Sequence, residues 1–110
     1  MNKVILIGNV GKDPETRKTQ DGIPYSRFSL ATTKRYTDRS GEKKSDTQWH
    51  NLVAWRGIAE VIDKYVRKGD KLAVVGEVTY RQWEDNDGQK RDITEVVISD
   101  IEMLSSRAST

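Results

Sequence analysis

The chain has 110 residues, 35% of them hydrophobic and 33% charged, with a formal net charge of +2. That length suits one domain with a single core, and so small a net charge leaves any basic footprint to local clustering. It has no cysteine and one histidine, which excludes disulfides and thiolate or Cys/His metal sites and implies no cofactor.

Lys3 to Val10 is predicted as the first strand. Val4, Ile5, Leu6 and Ile7 are apolar on both faces, so the strand needs a second cover besides its own core, and in so small a domain a second subunit is the expected cover. The same run is too short for a signal peptide or a membrane span, so a soluble intracellular protein without membrane contact is expected. Gly11 to Gly22 is rich in turn residues, with Asp13-Pro14 and Asp21-Gly22 as breakers. Ile23 to Tyr36 reads as a long second strand, with Phe28 and Leu30 on one face and Lys34 and Tyr36 at the far end of that row. Pro24 cannot donate to a ladder, so this strand begins at an edge or a bulge.

Thr37 to Asp46 is polar and contains Ser40-Gly41; it reads as a long exposed hairpin connection. Lys34, Arg35, Arg39, Lys43 and Lys44 concentrate positive charge there, against Asp38, Glu42 and Asp46. Thr47 to Trp55 is the third strand. Alternation puts Trp49, Asn51, Val53 and Trp55 on one face and His50, Leu52 and Ala54 on the other. The second set is the better core face, which turns two indoles outward.

Ile58, Val61, Ile62, Tyr65 and Val66 follow helical spacing, an amphipathic helix of about three turns, with Lys64, Arg67 and Lys68 near its C-terminal end and Gly69 to stop it. Lys71 to Trp83 is the fourth strand: Leu72, Val74, Val78 and Tyr80 form its apolar row, while Glu77, Thr79, Arg81 and Trp83 share the polar face. Asp85 to Gln89 is a hairpin turn signalled by Asp87-Gly88. Ile93 to Leu104 is the fifth strand, and Ser105 to Thr110 a polar tail expected to be disordered. Three strands, a helix and two strands, all within residues 1–104, describe an all-β domain: a five-stranded Greek-key barrel of the OB-fold type with one helix between strands 3 and 4.

Three tryptophans on the polar faces of strands call for an explanation. Each nucleobase offers a π-face, so an aromatic platform with cations beside it binds single strands without reading sequence. Lys34, Arg35, Arg56, Arg81 and Arg91 lie at or near the ends of the strands that carry Tyr36, Trp49, Trp55 and Trp83. No recognition helix is spaced for base-edge readout. Catalytic patterns are poor, and no enzyme is expected. Asp85-Asn86-Asp87-Gly88 lacks the later glutamate of a calcium loop. Gly8 and Gly11 precede no helix, and His50 faces away from the indoles with no nucleophile to serve. An RNA-binding or primosome-type OB domain and a purely structural, protein-binding OB module fit the same pattern.

The blocks Asn2 to Glu15, Ser29-Leu30-Ala31-Thr32, Gln48-Trp49-His50, Ala59-Glu60-Val61 with Lys68-Gly69, and Thr94-Glu95-Val96-Val97 together resemble bacterial single-stranded DNA-binding protein. The resemblance spans about residues 2 to 104. It implies a cytoplasmic, nucleoid-associated homotetramer of OB-folds that wraps single-stranded DNA and protects it in replication, recombination and repair. It assigns stacking to Tyr36, Trp49, Trp55 and Trp83; the cations beside them, Lys34, Arg35, Arg56, Arg81 and Arg91, together with Lys3, are the expected phosphate contacts. Tyr36 stands where the family often has tryptophan, and Trp55 where phenylalanine is common; both keep a ring. The family usually continues into a flexible linker and an acidic tip that recruits replication and repair proteins, so such partners are expected only where an acidic tail follows residue 110.

Overall fold

In the computed structural model, which describes residues 1–105, β1 (Val4–Val10) alternates as its sequence requires. Val4 and Leu6 pack against the core and Val10 is buried, while Ile5 and Ile7 face out. β1 runs antiparallel to β5 (Lys71–Glu84) from Val4↔Gly76 to Asn9↔Lys71, and β5 pairs antiparallel with β6 (Lys90–Met103). β6 lies parallel to β4 (Lys43–Trp55) at Leu52↔Val96 and Val53↔Val97. β4 forms a long antiparallel ladder with β3 (Pro24–Thr37), and β3 returns to β1 at Asn9↔Ala31 and Val10↔Leu30. The ring β1-β5-β6-β4-β3 is therefore closed, with the β1–β3 seam joined only at these two pairs. Closure needs close backbone approach. A Cβ on Gly8 would stand 2.2 Å from the Ala31 carbonyl oxygen, and one on Gly76, beside the β5 bulge, 2.3 Å from that of Val97.

A short strand that the sequence places among turns, β2 (Glu15–Lys18), pairs with the start of β3 from Glu15↔Arg27 to Lys18↔Pro24. Glu-Thr-Arg-Lys has no apolar alternation, so only the neighbouring ladder makes it a strand. Pro24 opens β3 at this edge, as its missing N–H demands.

The helix α1 (Arg56–Tyr65) follows β4 without a loop and lies between the third and fourth barrel strands. It buries Ala59 and Ile62, with Val66 just beyond it, whereas Val61 and Tyr65 are exposed. The expected stripe is thus rotated toward Ala59, because a single short helix offers the barrel one narrow row. It also ends earlier than Gly69. Val66 is already extended, and the turn that follows uses Gly69 at φ +90°, its N–H bonded to the Val10 carbonyl. Leu30, Leu52, Ile62, Val66, Leu72 and Val74 form the centre of the core. Among the described residues no helix is long and apolar enough to cross a membrane.

Both long hairpins zip further than the alternation of apolar residues foretells. β3 and β4 stay paired out to Thr37↔Lys43, so the exposed connection shrinks from Thr37–Asp46 to a tight turn. Asp38 holds that turn by accepting from the N–H of Ser40 and Glu42. Asp85 does the same for Asp87 and Gln89 between β5 and β6. Gly41 and Gly88 supply the positive φ in each. Each aspartate takes a cation from the returning strand, Lys44 or Arg91. These contacts lower both carboxyl pKa values, through the Ser40 hydroxyl first at Asp38 and the Gln89 N–H first at Asp85. At the other end, Ser105, which the sequence assigns to the tail, is hydrogen-bonded to Lys71. The rest of the expected tail, 106–110, lies outside the described residues.

Candidate nucleic-acid interface

Ladder register decides which side chains share a face. In β3 and β4, Tyr25 stands opposite Trp55, Arg27 opposite Val53, Ser29 opposite Asn51 and Ala31 opposite Trp49. Val53 pairs with Val97, Val97 with Glu77, and the same β5–β6 ladder carries Thr79↔Glu95, Arg81↔Ile93 and Trp83↔Arg91. Alternation therefore joins Trp49, Trp55 and Trp83 on the outer face of one continuous sheet. All three are well exposed, at 62%, 39% and 48%. The opposite face carries Leu52 and Ala54, both buried, and His50, half-buried with its Nε2 2.8 Å from the Thr32 hydroxyl.

Tyr36 is placed differently. It pairs with Lys44, in the row of Phe28, Leu30 and Lys34, so its ring belongs to the other face of the β3–β4 arm beyond the barrel. The register does not make Tyr36 continuous with the three indoles. A shallow cleft of about 300 Å³ runs between β4 and β6, lined by Trp49, Asn51, Ile93 and Glu95 among others. Trp49 also leans on β1's exit: a Cβ at Gly11 would lie 2.4 Å from its Cζ3. Trp55 has Tyr25 on one side, ring centroids 5.2 Å apart and planes at 35°.

The expected cations separate into two groups. Among the described residues, the exposed Lys3, Lys34, Arg35 and Arg56 make no salt bridge. Lys3 adjoins Asn2, whose amide extends the sheet by pairing with both backbone groups of Val78. Arg56 follows Trp55 directly, in the left-handed region at φ +58°, a conformation that costs an L-residue about 1–2 kcal/mol. That backbone turn is what lets the strand run straight into α1. Arg91 is held by Asp85 at 3.0 Å, and Arg81 donates through Nε to Glu95 at 2.8 Å.

Sequence reasoning missed Arg27, Tyr25 and Glu95. Arg27, which stands opposite the buried Val53 in the ladder, reaches across β4 and donates through Nη1 to the other oxygen of Glu95. Its guanidinium is also 5.8 Å from the Tyr25 ring centroid. Glu95 is only 4% exposed. Burial pushes its carboxyl up, but hydrogen bonds from Arg81 and Arg27, with their charges, outweigh that and leave it below the ordinary glutamate value. The same bond raises the Arg81 pKa. A lone acid inside the apolar run Ile93 to Ile98 was the available signal, since a buried carboxylate must find cations. Among the described residues no cluster of His, Asp and Glu could hold a metal.

The model of the single-strand binding protein family matches residues 1–104. The chain belongs to the single-strand binding protein family. Within that family it is 46% identical over 113 residues to the single-stranded DNA-binding protein of Rhizobium meliloti, covering 97% of this chain and 65% of the relative. It is likewise 46% identical to that of Bacteroides thetaiotaomicron, covering 99% and 69%. The chain thus spans about two thirds of the length of these relatives. Among solved structures it superposes on a Plasmodium falciparum SSB in complex with single-stranded DNA with a TM-score of 0.86, 40% identity and 96% coverage of both chains. A Thermus aquaticus single-stranded DNA-binding protein gives a TM-score of 0.83 at 31% identity, covering 97% of this chain and 52% of that one.

Proposed function

We propose that this protein binds and protects single-stranded DNA without reading its sequence, during replication, recombination and repair. It acts as a binding protein rather than an enzyme. The observation that carries this is the placement of Trp49, Trp55 and Trp83 on the outer face of one sheet, exposed and interleaved with arginines. Indoles held there present flat faces to unstacked bases, and each stacked base is worth about 1–3 kcal/mol. Lys34, Arg35, Arg56, Arg81, Arg91 and Lys3 supply phosphate contacts around the aromatics, and Tyr36 provides a ring on the β3–β4 arm. Duplex bases are already stacked on one another, which makes the design selective for single strands. The named binding of single-stranded DNA by the relatives supports this reading.

The working unit is a homotetramer in the bacterial cytoplasm, associated with the nucleoid. Ile5 and Ile7 are 65% and 55% exposed on β1, whose edge over residues 4–8 has no second strand beside it among the described residues. Such an edge is covered in stable proteins, and a second copy of β1 is a suitable cover. Light scattering should find a tetramer at micromolar concentration; a stable monomer would refute that part. Residues 1–104 make up the DNA-binding domain, and replication and repair proteins are partners only where an acidic tail follows residue 110.

The test is titration with oligo(dT) while the intrinsic tryptophan fluorescence is followed. Quenching that saturates with added strand is expected, and matched oligo(U) should bind more weakly. Unchanged fluorescence with no complex formed would overturn the reading, and preference for oligo(U) would make the protein an RNA binder.

A further inference from the structure

The ion triad on the outer face is more than a way to satisfy a buried carboxylate. Arg27 from β3 and Arg81 from β5 occupy the two oxygens of one glutamate on β6, yet both side chains stay substantially open, at 40% and 48% exposure. Each gives one N–H to Glu95, and among the described residues the remaining guanidinium N–H groups have no protein acceptor. Two guanidiniums against one carboxylate leave one net positive charge, which matches one phosphodiester. Glu95, Asn51 and Ile93 line the cleft beside Trp49 and also a neighbouring cleft of about 200 Å³ that contains Arg27. The two acids on its rim are already engaged: Asp13 accepts from the Lys68 N–H, and Glu15 faces Arg17.

We infer that Arg27 and Arg81, bracketed on the buried carboxylate of Glu95, form a preformed seat for a single backbone phosphate of the strand whose bases meet Trp49. Glu95 is the positioning residue of this seat. The proposal rests on the single-stranded DNA reading above and adds a phosphate site that includes Arg27. A planar fork fixed by a second anchor loses little freedom when a phosphate arrives. Bidentate guanidinium–phosphate contacts are also among the stronger hydrogen bonds available to a protein.

The experiment is oligo(dT) titration of Arg27→Gln, Arg81→Gln and the double variant at several salt concentrations, with circular dichroism confirming the fold. Each single variant should weaken binding about tenfold and flatten the log–log salt dependence by about 0.7, the contribution of one phosphate on a single strand. Because the seat holds one phosphate, the double variant should flatten it by about 0.7 as well. Parent-like affinity and slope in Arg27→Gln would overturn the proposal. So would a double variant flattened by about 1.4, which means two separate phosphates.

Glu95→Gln keeps both cations but replaces one of the two acceptor oxygens with an NH2 donor, so at most one fork stays anchored. Weaker binding is expected, whereas tighter binding would show that the carboxylate merely neutralises them. Should Arg27→Gln fail to fold, Arg27→Lys, which keeps the charge and loses the fork, must still bind more weakly than the parent; parent-like binding would overturn the seat. A parent that is quenched by oligo(dT), with Arg27→Gln unaffected, removes only the phosphate seat. A parent that does not bind oligo(dT) removes the DNA reading itself.

Discussion

The ring of Tyr25 lies 5.2 Å from that of Trp55, centroid to centroid, across the β3–β4 ladder. One side of the Trp55 indole is thus occupied by protein and only the other remains for a base. A tilted aromatic pair of this kind is worth about 0.5–1.5 kcal/mol beyond its buried area. Tyr25→Ala and Trp55→Ala should therefore show a coupling of about that size in a double-mutant cycle of urea unfolding. Strictly additive effects would mean that the rings are neighbours without mutual support. In oligo(dT) titrations Tyr25→Ala should weaken binding less than Trp55→Ala, because it leaves the stacking ring present but less fixed.

Trp49→Ala and Trp83→Ala should each weaken oligo(dT) binding by roughly 1–3 kcal/mol for every base that no longer stacks, with thermal stability nearly unchanged, since both rings are largely outside the core. Leu52→Ala supplies the contrast. Leu52 is 1% exposed, and its truncation should cost roughly 2–5 kcal/mol of stability. Unfolding of Trp49→Ala under conditions where the parent is stable would reverse the face assignment.

Gly11→Ala tests how Trp49 is held. The added methyl would meet the indole edge at 2.4 Å, too close to coexist with the observed ring position, and the exposed ring is what has room to move. The expected outcome is a shifted tryptophan emission maximum and weaker oligo(dT) binding, with little loss of stability. Parent-like emission and affinity would show that Gly11 does not constrain the indole.

Acid should reveal Glu95. Its folded pKa lies below the ordinary value of 4.5, so on acidification the unfolded chain takes up the proton first. The stabilisation is complete above that value and is lost as pH falls through the folded pKa. The stability gap between the parent and Glu95→Gln should hold steady from about pH 7 to about pH 5 and narrow below. Asp38 and Asp85 titrate in the same direction, but both chains keep them, so the difference isolates Glu95. A gap that stays constant to the lowest pH at which both chains fold would show that the arginine pairing does not shift this carboxyl.

Alternation within single strands was enough to place Trp49 with Trp55, Arg81 with Trp83, and Leu52 and Ala54 in the core. Those relations depend only on the two-residue repeat of a pleated strand. The five barrel strands, the position of the helix and the turn at Asp87-Gly88 were legible for similarly local reasons. Whether the Trp83 face and the Trp49 face are one surface is a matter of register between strands distant in sequence. That was settled by the parallel pairing of Val53 with Val97 and the β5–β6 ladder. Register likewise set Tyr36 on the opposite face of its arm. β2 is a strand only because β3 offers it an edge, and the helix turned Ala59 inward because one short helix offers the barrel a single narrow row. Glu95, Arg27 and Arg81 come from three strands, and only barrel closure brings two cations onto one buried carboxylate. Local periodicity determines which way a side chain points along its own strand, whereas the partners it meets depend on the long-range pairing that closes the sheet.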